Sequence, residues 1–446
     1  MLSFDATAIL FASGVLTLIF YSFFLRNKHS RLPLPPGPAK LPLVGNIFDV
    51  PMKFQWETYM EWGKKYNSDI IHLSLAGMSV IVLLSSEATN ALLEKRSAIY
   101  SDRTPLPMVT ELMGWDFNIG PKPLTSSRRT THRLVREALD HRMVQQYWSL
   151  EVTTARSLLQ RWLETPDDFF AHLYQMAGEF IMEMAYGIKV QPLNDPYVAL
   201  AHKTVNLGVI ACVPGHFLVN HFPLLKYVPS WFPGAGFQRQ AREWKKLARA
   251  LLDMPFAETE RQMASGIYPQ SFTADRLDGL RDEKVYYEKE HVKAAAATLF
   301  AAGADTTVSA LASFVLAMLM HPDAQKQAQA EIDSVTHGKY LPDMNDEALL
   351  PYTSALVKEV LRWKNSTPLA MPHVLTMDDE YRGYRLPAGS LVIGNTWAIM
   401  HDEATYPDPY AFKPERWLVD GKPNPCKGNH AAREVKGPGV GNPKVN

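Results

Sequence analysis

An acid and two alcohols interrupt an otherwise apolar run at Ala301-Ala302-Gly303-Ala304-Asp305-Thr306-Thr307. Buried polar groups cost free energy unless they are partnered, so these three side chains need a reason to be there. The small residues before Asp305 let a flat ligand approach the backbone, and Thr306 can bond back to a carbonyl and loosen the helix locally. The competing reason is purely structural, a small-residue helix crossing with one satisfied aspartate. Further on, Glu359 and Arg362 lie three apart in Lys358-Glu359-Val360-Leu361-Arg362 and share one face of a helix. Most such pairs are solvated and contribute little. Here Leu356, Val357, Val360, Leu361 and Trp363 flank the pair, which predicts partial burial, so that removing one partner would strand the other charge. Tyr406–Trp417 follows, rich in proline and carrying Arg416; taken alone it reads as a surface loop.

The elements that must position these residues are mostly helices. From His291 to Met320 the chain is apolar nearly all round, which predicts a helix of about 45 Å crossing the interior, closed by His321-Pro322. Helical spacing or composition also marks Arg133–Arg142, Val144–Glu164, Phe169–Tyr186 and Phe237–Ser265. Two apolar runs parted by Gly77-Met78 read as a hairpin over Ile70–Leu84, with a short helix at Ser86–Lys95. Strand-like runs return at Arg385-Leu386-Pro387 and Ser390–Thr396. Between the helices, Val213–Gly236 is irregular and rich in aromatics and proline, suited to a core edge, to lipid or to apolar ligands. The expected fold class is mostly α with a small β subdomain.

Lys plus Arg equals Asp plus Glu, 46 against 46, so no basic field draws nucleic acid. The only cysteines, Cys212 and Cys426, exclude a disulfide framework and suit a reducing compartment. Ala6–Leu25 is an uncharged apolar run; as a helix it would span about 30 Å, the thickness of a bilayer's hydrocarbon core. Arg26, Lys28 and Arg31 follow it, which predicts an uncleaved anchor with the bulk of the chain cytosolic. The resulting division is a short tail at 1–5, a transmembrane anchor at 6–25, a basic, proline-rich hinge at 26–46, one large domain at 47–425 and an atypical tail at 426–446.

In this order and at these spacings the pieces resemble the cytochrome P450 family, most nearly its fungal membrane-bound (microsomal-type) monooxygenases, from about residue 6 to 425. The strap Pro35-Pro36-Gly37-Pro38, the segment Tyr227–Ala235, Met371-Pro372-His373, Asp378–Tyr384 and His401-Asp402 add to the likeness. The resemblance implies the cytochrome P450 fold and a haem b cofactor. It also implies electrons from NADPH through NADPH-cytochrome P450 reductase, a small apolar substrate and a place in the endoplasmic reticulum membrane. Asp305 and Thr306 match the family's proton-delivery pair, and Gly303 the place where that helix opens over the haem. Glu359, Arg362 and Arg416 match the buried network that fixes the core near the haem's proximal face. His373 stands where a basic residue binds a haem propionate, and Arg133 is the nominee for a second such contact.

Two stretches depart from the family. Its haem-ligating loop has the form Phe-x-x-Gly-x-Arg-x-Cys-x-Gly and precedes a long proximal helix. Here Asp420-Gly421-Lys422-Pro423-Asn424-Pro425-Cys426-Lys427-Gly428 matches only at Cys426 and Gly428, and Cys426 follows Arg416 too closely. Lys427–Asn446 has no apolar helical period, so neither the cysteine loop nor the following helix is expected. At Pro121–Arg133, the family's Trp-x-x-x-Arg pattern is missing, although Arg128, Arg129, His132 or Arg133 can face a propionate. Two functional readings follow: a haem monooxygenase, or a remnant unable to ligate haem iron through a cysteine.

Overall fold

The computed structural model describes residues 32–192, 194–213, 215–278 and 285–424. The apolar run Ala6–Leu25, Cys426 and the C-terminal segment lie outside them. Among the described residues, one helix is long and apolar enough to cross a membrane, and it is the central one described below.

The two apolar runs near the N-terminus form the expected hairpin. Strand β1 (Ile70–Leu75) pairs antiparallel with β2 (Met78–Leu83) in register Ile70 with Leu83 through Leu75 with Met78. Ala76 and Gly77 make the turn, both at positive φ (46° and 85°), the backbone of a two-residue hairpin that matches strand twist. Strand β6 (Leu391–Gly394) joins β2 in parallel, and β3 (His373–Val374) closes the sheet against β6, giving the order β1-β2-β6-β3. Asp379–Tyr381 (β4) with Tyr384–Leu386 (β5), and Leu418–Val419 (β7) with Lys422–Pro423 (β8), form two further small hairpins.

Helices make up the rest. In chain order the longer ones are α1 (Gln55–Tyr66), α2 (Ser126–Ala138), α3 (Trp148–Glu164), α4 (Phe169–Tyr186), α5 (Pro196–Cys212), α6 (Gly236–Ala264), α7 (Val285–Met320), α8 (Pro322–Thr336) and α9 (Pro351–Trp363). The architecture is thus mostly α with a small β region, as the sequence predicts. The boundaries of α4 agree with the sequence reading, and Gly187 ends it in the left-handed conformation (φ 69°) that glycine adopts without strain. Three differences have local causes. Helix α2 begins seven residues before the predicted start at Arg133, because the Thr125 side chain accepts from the Arg128 amide and caps it. Helix α5 was not expected; Asp195 caps it through the amides of Tyr197 and Val198, with Pro196 in its first turn. Pro322, read as a stop, also starts α8, since the first turn of a helix has no use for its missing N–H.

Helix α7 is the axis. In its N-terminal half, Val292, Ala294–Ala297, Leu299–Ala301 and Ala304 are buried in the largest apolar cluster with Ile181 and Met182 of α4, Leu251 and Phe256 of α6, and Met108, Met113 and Trp115 of the segment before α2. Burying one such side chain stabilises the fold by about 1.5–3 kcal/mol.

Candidate functional site

The paired charges on α9 are fully buried. The Glu359 side chain is 0% exposed and that of Arg362 1%. Arg362 donates from Nη2 to Glu359 Oε1 (2.8 Å) and from Nε to Oε2 (2.9 Å), a bidentate pair. Glu359 Oε1 also accepts from the Lys413 amide and Arg416 Nε (3.0 Å each), and Oε2 from Trp417 Nε1 (2.9 Å). The spare guanidinium donors go to carbonyls: Arg362 to Met400 and Ala411, Arg416 to Pro407, Asp408 and Ala411. Tyr406–Trp417 is therefore no free surface loop. It is clamped to α9 through one carboxylate, and Tyr406 and Trp417 are buried. Glu359, Arg362 and Arg416 bond to one another, to this segment and to the Met400 carbonyl, so their part in the site is to position.

A second polar cluster, two arginines and a histidine, converges from three distant segments. His373, in β3, is 4% exposed and its Nδ1 has no partner. Arg103 donates to the carbonyls of Met371 and Pro372 (2.6 Å each), the two residues before His373, while its buried Nε has no partner. Arg128, in α2, is buried and donates to the carbonyls of Ile119 (3.0 Å) and Ser101 (3.2 Å). Burial pushes the Arg103 guanidinium down to about 10, Arg128 pushing the same way and Asp102 opposing. Burial, then Arg103 and Arg128, push His373 down to about 3. His132 is lowered by burial and then by Arg128, Arg136 and Arg103. Two guanidinium groups crowded under low dielectric around a neutral histidine, with the Arg103 Nε–H unpartnered, suit an anion, and the flat fork of arginine suits carboxylates.

Sequence reasoning named His373 here, held Arg128 as one of four alternatives at Arg128–Arg133, and missed Arg103. The one available signal was a lone guanidinium, Arg103, inside the apolar stretch Ser97–Trp115. Arg133, the residue nominated from the sequence, does not join the cluster. Its side chain is 69% exposed and reaches Glu137 at 3.9 Å on the outer face of α2. The 3.6-residue helical period puts Arg128 and Arg133 on different faces.

The acid–alcohol pair sits midway along α7. Thr306 is exposed, and its Oγ1 donates to the Ala302 carbonyl (2.9 Å), the back-bond predicted from its type. Asp305 is half-buried. Gly303 has a tighter reason than an open groove: a Cβ there would lie 3.1 Å from Ile181 Cδ1, so glycine lets α4 and α7 touch. The segment after α9 connects the two regions, with Ser366 Oγ reaching the Thr306 carbonyl (3.4 Å) and His373 ending it in the cationic cluster.

A mostly helical domain with a small sheet, an acid–alcohol pair on its central helix and two buried arginines meeting a buried histidine is the arrangement expected of the class of haem-binding oxygenases. The comparisons agree. The cytochrome P450 family profile matches residues 35–432. Cytochrome P450 monooxygenase 98 of Postia placenta is 43% identical over 416 residues, covering 93% of this chain and 80% of the relative. Cytochrome P450 monooxygenase ple1 of Rhodocybe pseudopiperita is 41% identical over 400 residues, 89% of this chain and 76% of the relative. Tryptamine 4-monooxygenase of Psilocybe cyanescens is 38% identical over 411 residues, 91% and 81%. The chain belongs to the cytochrome P450 family.

Membership implies haem and a reductase as electron donor. The fit of the described residues to haem is good at its carboxylate edge, where the buried guanidinium groups of Arg103, whose Nε has no partner, and Arg128 meet buried His373. The axial ligand is not among these. Cys212, exposed at the end of α5, is the one cysteine among the described residues, and Cys426 lies outside them.

Proposed function

We propose that this chain is a membrane-anchored haem monooxygenase that oxidises a small apolar organic compound, with haem b as cofactor and NADPH as the electron source through a reductase. The observation that carries the reading is the convergence of Arg103, Arg128 and His373 into one buried cluster in a domain whose central helix bears Asp305 and Thr306. When bound, haem supplies the iron centre at which dioxygen is activated. The protein's own residues do the rest. Arg103, Arg128 and His373 hold the carboxylates. Thr306, its proton committed to the Ala302 carbonyl, keeps its lone pairs to accept a hydrogen bond, and Asp305 brings protons to that position. Met108, Met113, Trp115, Phe117 and Phe217, buried around the first half of α7, supply the apolar wall that favours an apolar substrate and excludes water.

Fungal secondary metabolism, terpenoid oxidation included, is the setting we favour, on the strength of the fungal relatives. Membership of the endoplasmic reticulum membrane rests on the apolar run Ala6–Leu25 and the cations that follow it. Exposed Leu43, Phe48, Leu224 and Trp231 support contact with lipid.

The reduced carbon-monoxide difference spectrum of the full chain tests the proposal. The expected result is the band of a thiolate-ligated haem, lost in either Cys212→Ser or Cys426→Ser, which assigns the ligand. Folded protein that binds no haem in this assay would overturn it and leave the reading of a remnant without a cysteine ligand.

A further inference from the structure

Asp305 has a neighbour that the proton-delivery reading does not use. Tyr174, on α4, points its phenol at Asp305, with Oη 3.4 Å from Oδ1. The ring of Tyr174 also packs on His202 of α5, whose ring centroid lies 4.1 Å away at a 43° tilt. The carboxylate is thus turned toward α4, and α5 touches the phenol that meets it. Tyr174 and Asp305 both line an open cavity of about 510 Å³ together with Phe169, Phe170, Ser309 and Ser313. Phe169 and Phe170 make its wall apolar, while the two serines, one and two turns beyond Asp305 on α7, give water hydroxyl partners along the way in.

We propose that Tyr174 is a positioning residue for Asp305: its O–H holds the carboxylate toward this cavity, so that Asp305 collects protons from the α4 side before passing them to the Thr306 side. The inference rests on the monooxygenase reading for what the protons are used for, but not for the pairing itself. The geometry is that of a loaded pivot. The hydrogen bond is long, hence weak enough for the carboxylate to leave it, and the His202 contact keeps the phenol in place when it does. No bond other than O–H to oxygen is made or broken; a proton arriving by water is taken by the Asp305 carboxylate and given up again, leaving Tyr174 neutral.

The phenol's own titration reads the pair without haem. Tyr174 ionises above the ordinary tyrosine value because of burial and then the Asp305 charge and hydrogen bond. In full-length protein labelled with ¹³C at the tyrosine ring carbon that bears the hydroxyl, the resonance missing from Tyr174→Phe identifies this side chain. Its titration is expected to move to lower pH in Asp305→Asn. An unchanged titration overturns the proposal. In the haem-loaded enzyme, Tyr174→Phe is expected to lower product formed per NADPH about threefold, with hydrogen peroxide release rising to match, a larger solvent isotope effect and unchanged substrate affinity. Coupling equal to the parent also overturns it. In protein that takes up no haem, the titration still decides whether Tyr174 holds Asp305, so failure of the monooxygenase reading and failure of this one are told apart.

Discussion

Arg416 donates from Nε to Glu359 Oε1 at 3.0 Å although 57 positions separate them, and their side chains are only 5% and 0% exposed. With Arg362 on the same carboxylate, one buried anion serves two buried cations. Glu359→Ala would leave both guanidinium groups in a dry site, with only carbonyls for company. We expect a loss of about 3–5 kcal/mol, seen as a lower urea midpoint. Arg416→Met strands less, because Arg362 still satisfies both oxygens of Glu359, and its cost should be clearly smaller. Equal losses in the two variants would show that Glu359 is not the hub.

Much of this was legible in the chain. Apolar flanks around Glu359 and Arg362 announced a buried pair, and the limits of α4 followed from its spacing and Gly187. What stayed hidden depends on one cap or on tertiary convergence. The start of α2 hangs on the Thr125 hydroxyl, and α5 on the Asp195 carboxylate, single residues in polar surroundings. Arg103, and the choice of Arg128 over its neighbours Arg129, His132 and Arg133, gain meaning only where three remote segments meet, which no local period encodes.

The cationic cluster and the outer face of α2 separate cleanly by mutation. Arg128→Ala and Arg103→Ala are expected to lower the haem-to-protein ratio of purified protein severalfold, because each removes a buried donor to a carboxylate. Arg133→Ala, which breaks one exposed contact with Glu137, should leave that ratio unchanged and stability within about 1 kcal/mol. Loss of haem in Arg133→Ala alone would return the propionate contact to the residue named from the sequence.

Acid should weaken the fold in a defined window. His373 is pushed down to about 3, and His72 and His401 to about 4, by burial first in each case. All three are therefore neutral in the folded protein, while in the unfolded chain each binds a proton below about 6.5. Between about pH 6.5 and 4 the unfolded state holds more protons, so stability rises with pH there and falls as the solution is acidified. Each histidine adds at most about 1.4 kcal/mol per pH unit to the slope. Urea unfolding from pH 7.5 to 4.5 should show this, and His401→Gln should flatten the slope whatever it does to the midpoint. A slope unaffected by the change would mean that His401 keeps its ordinary titration in the fold.

At Gly303, α7 packs close against α4: a Cβ there would lie 3.1 Å from Ile181 Cδ1 and 3.2 Å from Ile181 Cγ1. The neighbour is a side chain rather than backbone, so Gly303→Ala has two opposing effects: crowding against Ile181, and the helix propensity gained by replacing glycine, about 1 kcal/mol. These should nearly cancel. Gly303→Val adds branched bulk that Ile181 cannot avoid, and we expect a loss of about 1–3 kcal/mol. Trimming the neighbour then helps. Ile181→Ala is destabilising in the parent because it opens a cavity, yet in the Gly303→Val background it makes room for the new side chain. The double-mutant cycle should give a coupling of at least about 1 kcal/mol with the sign of rescue. Additive effects would mean that the two helices are spaced by other contacts, and that the glycine owes its place to the ligand side of α7 instead.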